Sequence, residues 1–120
     1  MKLMIVMVLV ALAAVGCGRK EDALRQYDLN AVLKVSVLKT GDVLADGRKV
    51  TLEELDSLIA TNAQKRGVVW YYREAGQGEP PPQAMQAIQL VVKHKRPISM
   101  SGKPDFSDTI GQNGNSVPRQ

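Results

Sequence analysis

The chain has 120 residues, with 16 Lys and Arg against 12 Asp and Glu, one His, one Cys and a net charge of +4. That length holds one domain, or two small ones. A single Cys excludes an internal disulfide framework and a Cys-rich zinc site, a single His excludes a multi-histidine metal site, and so modest a positive charge argues against nucleic acid as a partner.

Residues 1–16 contain 14 apolar side chains and one charge, Lys2. The unbroken apolar run 3–15 is shorter than the about 20 residues that span a bilayer, and it suits the core of a secretory leader. It ends in Ala14-Val15-Gly16-Cys17, after which Gly18-Arg19-Lys20 turns polar at once. This resembles the lipobox of bacterial lipoproteins, with Ala14 where that family favours Leu. The resemblance implies that residues 1–16 are a cleaved signal peptide and that Cys17 is acylated. A mature module would then be anchored to a membrane of the cell envelope on its periplasmic side. Gly18 stands where Asp would retain such a protein at the inner membrane, which favours the outer one. Two or three acyl chains hold firmly where one holds marginally.

Residues 17–30 are charged and weakly periodic, as expected of a lipid-anchored tether. Between 31 and 39, Leu33, Val35 and Val37 alternate with Lys34 and Ser36, the pattern of a strand with one buried face. Thr40-Gly41-Asp42 is a turn, Val43-Leu44-Ala45 a short second strand, and Asp46-Gly47 another turn from which Arg48-Lys49-Val50 leads out. Thr51 and Glu54 have capping-box spacing, and Leu52, Leu55, Leu58, Ile59 and Ala63 follow at helical intervals. The pattern predicts a helix over 51–66, with Lys65-Arg66 at its negative end and Gly67 as its stop.

Val68-Val69-Trp70-Tyr71-Tyr72-Arg73 is β-branched and aromatic, hence a strand. Residues 74–82 form a Gly/Pro loop. Met85, Ile88, Val91 and Val92, flanked by Ala84 and Ala87, predict a second helix through about residue 95. Residues 97–101 read as a last short strand, with Pro97 at its edge or start. Phe106 and Ile110 are expected to pack back on the body, and the polar residues 111–120 to form a disordered tail. The expected domain, 31–110, is therefore α+β in the order β-β-α-β-α-β, with both helices on one face of a four-stranded mixed sheet.

Residues 33–101 resemble the periplasmic domain of the ExbD/TolR family, accessory subunits of proton-driven envelope motors. The likeness rests on the strand at 34–39, Gly-Asp-Val-Leu-Ala-Asp-Gly-Arg-Lys-Val at 41–50, and Thr-Leu-Glu-Glu-Leu at 51–55. The resemblance implies that fold, together with dimerisation or contact with partner proteins or the cell wall. Family members carry a transmembrane aspartate that takes part in proton movement. Residues 1–16 contain no Asp, so proton coupling is not implied.

Two groups of residues are candidate binding surfaces. Trp70 and Tyr72 share one face of their strand, opposite Val69 and Tyr71. If both helices lie on the other side, that face is open to a partner. Lys93, His94, Lys95 and Arg96 form a basic cluster that suits an anionic surface, or simply the negative end of a helix. The edge of the strand around Ile98 is a candidate for strand addition. No nucleophile elbow, phosphate loop or metal-ligand spacing is present, and Glu53 and Glu54 are explained by capping. The expected function is a non-catalytic, lipid-anchored periplasmic binding module without cofactor or metal, pairing with a protein or with itself. An alternative is an immunity or inhibitor lipoprotein that neutralises a secreted toxin or wall hydrolase. A weaker one is a periplasmic enzyme using His94 with a nearby Ser.

Overall fold

The structure, a computed structural model, describes residues 27–74 and 78–119. The expected leader, Cys17 and most of the expected tether lie outside them, as do residues 75–77 of the Gly/Pro loop. Strand β1 (Val32–Val37) buries Leu33, Val35 and Val37 and turns Lys34 and Ser36 to the other face. It pairs antiparallel with β2 (Val43–Ala45), which pairs antiparallel with β3 (Arg48–Val50). The β2–β3 link is two residues, Asp46 and Gly47, at φ of 50° and 85°. Positive φ at both positions marks the hairpin turn whose twist matches that of its strands. Arg48-Lys49-Val50 is thus a strand, and the sheet has five strands where the sequence predicts four.

Helix α1 (Leu52–Gln64) opens with the expected capping box. Thr51 Oγ1 accepts from Glu54 N at 3.0 Å, and Thr51 N donates to Glu54 Oε1 at 2.9 Å. Leu55 and Ile59 are fully buried, each worth roughly 1.5–3 kcal/mol of apolar burial. The helix leads into β4 (Val68–Arg73), which runs parallel to β1 in the middle of the sheet. Helix α2 (Pro82–Lys93) starts with Pro in its first turn and returns the chain to β5 (Ile98–Ser101), parallel to β4. The strand order is β3-β2-β1-β4-β5.

Both helices cover one face, where Leu55, Ile59, Ala84, Ala87 and Val91 form a single core with Val35, Val37, Val69 and Tyr71. The buried stripe of α2 is Ala84, Ala87 and Val91. Met85 and Val92, read as core from their spacing, are exposed. The small side chains of Ala84 and Ala87 form the contact face, and this turns the longer Met85 outward.

The other face is open only in part, not throughout as expected. After β5 the chain folds back and forms a hairpin of β6 (Asp108–Ile110) and β7 (Ser116–Pro118), so residues 111–119 are ordered rather than a disordered tail. Gly114 has φ of 82° in the connecting loop, where its N–H donates to Gly111 O and Asn115 N donates to Asn113 Oδ1. The hairpin is held to the sheet by polar groups. Asp108, 2% exposed, accepts from the backbone N–H of Gly102 and Lys103 and from the Ser116 hydroxyl. Arg119 donates to Phe106 O, Ser99 Oγ, Ser101 Oγ and Asp108 O. No described helix is long and apolar enough to cross a membrane.

Candidate functional site

At the carboxyl ends of β4 and β5, the start of helix α2 and the sheet enclose a cleft of about 610 Å³. Its lining is apolar: Tyr71 from β4, Ala84, Met85 and Ile88 from α2, Met100 from β5 and Ile110 from β6. Met85 is 51% exposed, and Met100 and Ile110 more than a third. Exposed apolar side chains gathered round a concavity mark a binding surface more than the same residues scattered singly. Arg73 lies at the rim, two residues beyond Tyr71 on the same side of β4, and its guanidinium donates to Gly78 O.

Tyr71 is 4% exposed, and its hydroxyl has no hydrogen-bond partner among the described residues. Burial pushes its pKa up, against the opposing pull of Arg73. Leaving a buried hydroxyl unpaired costs about 1–3 kcal/mol, so a partnerless one beside a cleft is a place where a ligand gains by binding.

The candidate surfaces expected from sequence are engaged internally. Trp70 and Tyr72 do share the face away from the helices, but Phe106 covers both, with ring centroids at 6.4 Å from each. The Arg119 guanidinium lies 3.9 Å from the Trp70 ring centre. Phe106 packs back on the body as expected, but on this face, and the rest of the cover comes from a polar stretch that was expected to be disordered. The open part of that face is the β1–β2 half, lined by Val32, Ser36 and Leu44 beside Tyr72.

The basic cluster is divided. Lys93 Nζ lies 3.2 Å from Asp56 Oδ2, and His94 Nε2 lies 2.6 Å from Asp56 Oδ1. The His94 contact first, and the Lys93 contact second, hold the Asp56 carboxyl below the usual carboxylate range. Arg96 caps the start of the domain instead, donating to Gly67 O and lying 5.6 Å from the Tyr27 ring centre. Lys95 is exposed, at φ of 56° where α2 ends. These bonds tie α2 to α1 and to the end of the tether, so the four residues do not present one surface.

The Ser residues near His94 in sequence are engaged elsewhere. Ser99 Oγ meets Thr109 Oγ1 at 3.1 Å, and Ser101 Oγ donates to Asp108 O. The same contacts occupy part of the β5 edge proposed for strand addition. Among the described residues, no three His, Cys, Asp or Glu side chains converge as a metal site.

No protein-family model matches the chain, and no curated protein is similar to it in sequence at a significant level. The cleft is therefore the feature from which a function can be read. Sequence reasoning missed it because Met85 and Met100 fit their periodic patterns. The available signal was the run Ala84, Ala87, Val91, whose spacing alone completes the inward stripe of α2 and leaves Met85 outside it.

Proposed function

We propose that the chain is a lipid-anchored, non-catalytic binding module of the bacterial cell envelope, facing the periplasm. Its domain is related in fold to the periplasmic domains of the ExbD/TolR family, without their proton-coupled function. The cleft at the carboxyl ends of β4 and β5 is its binding surface, and the single observation that carries this reading is the cluster of exposed Met85, Met100 and Ile110 around that concavity.

Its position supports the role. The tether enters at the opposite end of the parallel strands, where Asp28 N donates to Arg66 O and Tyr27 packs under Arg96. The six residues of β4 separate the two ends by about 20 Å. The cleft and the described end of the tether thus do not compete for the same surface. The Asp46-Gly47 turn and the capped helix at Thr51, which carry the family likeness, both take the expected local structure. The β3 strand and the C-terminal hairpin are additions to the expected pattern.

Photo-cross-linking from positions 85, 100 and 95 in intact envelopes tests the reading. Positions 85 and 100 should each give an adduct of the same discrete mass, and position 95 none. Equal labelling from all three, or none from the cleft, overturns it.

A further inference from the structure

We propose that Met85 and Met100 form a paired oxidation site, at which a hydroperoxide converts both thioethers to sulfoxides and closes the cleft to an apolar partner. This rests on the reading of the cleft as the binding surface and adds how that surface is regulated.

Three observations carry it. Seven large apolar side chains stay exposed among the described residues, and the two that contain sulfur both line this cleft. Met85 comes from the start of α2 and Met100 from β5, so an oxidant that enters the concavity meets both. They are also the only methionines beyond residue 7, and the only Cys is Cys17, so the described residues hold no thiol that would react first.

Neither element requires a thioether. Strand β5 favours β-branched side chains such as its own Ile98. On α2 a Leu has similar volume and helix propensity. What Met adds at both places is a pliable, oxidisable sulfur.

The step is a two-electron oxygen transfer. The sulfur lone pair attacks one oxygen of the hydroperoxide, an S–O bond forms and the O–O bond breaks. The proton on the transferred oxygen goes to the departing oxygen, which leaves as water when the oxidant is hydrogen peroxide. Sulfur is oxidised and the peroxide reduced. Each sulfoxide is polar, and the adjacent lining of Ala84, Ile88 and Ile110 has no side-chain donor for the new oxygen. A partner that covers it buries an unpaired polar group, and binding weakens.

The test uses isolated envelopes carrying the full chain with a photo-reactive residue at position 110, which lines the same cleft. Hydrogen peroxide is added with N-acetylmethionine amide as an internal standard, and oxidation at positions 85 and 100 is followed by peptide mapping. At exposures of 51% and 38%, both sites should oxidise within about threefold of the standard. The cross-linked adduct should fall about tenfold as they do, the effect of one buried unpaired oxygen. It should return after treatment with methionine sulfoxide reductases of both epimer specificities. The double substitution Met85→Leu, Met100→Leu should leave the adduct at the parent level and make it resistant to peroxide. Oxidation more than about thirtyfold slower than the standard, an undiminished adduct from the oxidised chain, or an equal loss in the doubly substituted chain overturns the proposal. If the adduct never forms although both methionines oxidise, the wider reading of the cleft falls, and the proposed control of binding falls with it.

Discussion

Gly67 stands where the chain leaves α1 for β4, and its smallness rather than its flexibility is what the fold needs. A Cβ there would run into the Asn62 side chain and the Ala31 carbonyl. Asn62, buried at 7% exposure, donates from Nδ2 to Ala31 O at 3.2 Å, and Gly67 N donates to Asn62 O at 2.8 Å. The left-handed residue that ends the helix is Arg66, at φ of 57°, one position before the glycine expected to stop it. Gly67→Ala forces an added methyl against backbone, and overpacking of this kind costs roughly 1–3 kcal/mol. We expect a lower urea midpoint with an unchanged slope. A midpoint equal to that of the parent chain would mean that the β1 and α1 ends shift apart freely.

At the scale of elements, the β6–β7 hairpin is the one that alters how the molecule is read. It is short and polar, and its anchor is the Asp108 carboxylate. The Ser116 hydroxyl first, then the N–H groups of Gly102 and Lys103, hold that carboxyl below the usual carboxylate range, against the opposing effect of burial. A carboxyl whose pKa is lowered by folding adds stability that is fully present above its unfolded value, about 3.9, and is lost as pH falls through its folded value. Acidification through the carboxylate range should therefore loosen the hairpin, exposing Trp70 and shifting its fluorescence to the red. The Asp56 and Asp105 carboxyls are lowered too, by His94 and Ser107 respectively, but neither group contacts Trp70 in any described interaction. Asp108→Asn should red-shift Trp70 already at neutral pH and remove most of the acid-dependent change. A parent-like emission spectrum across the whole pH range in Asp108→Asn would show that Phe106 and Arg119 hold the hairpin without the carboxylate.

The hairpin also shows where sequence patterning stops. Strands β1, β2 and β4 and helix α1 are legible because each buries a periodic set of apolar side chains, or is opened by a capping pair with fixed spacing. Strand β3 has one buried residue in three, Val50, and β7 has none. Both still announce themselves through their turns, Asp46-Gly47 and Asn113-Gly114, a dipeptide type that tolerates positive φ. Weighed ahead of hydrophobicity, those two turns would have located both strands. The pairing of Lys93 and His94 with Asp56 joins residues 37 and 38 positions apart, and no local pattern encodes it.

For the whole molecule, the described start of the chain at Tyr27 and the cleft lie at opposite ends of β4, and the proposed reading makes anchor and cleft separable. Cys17→Ser should abolish incorporation of labelled palmitate and release the protein from the membrane fraction. Cross-linking from positions 85 and 100 to the same adduct should survive, because among the described residues the cleft takes none from the expected tether. Palmitate incorporation retained in Cys17→Ser would place the acylation elsewhere, although the chain has no other Cys. Loss of those cross-links in the same variant would couple the anchor to the cleft.

By itself the sequence determined the features whose physics is local: an apolar run that stops just before the sole Cys, a capped helix, alternating strands, and hence an α+β chain with a mixed sheet. Tertiary structure decided what those elements face. Which of Met85 and Ala87 turns inward depends on how closely α2 approaches the sheet. Whether Trp70 meets solvent depends on a polar segment some forty residues later in the chain. Whether the Tyr71 hydroxyl finds a partner depends on every side chain around it at once. Exposure and unsatisfied polarity are properties of an assembled surface, and that is why the candidate site came from the fold and not from a motif.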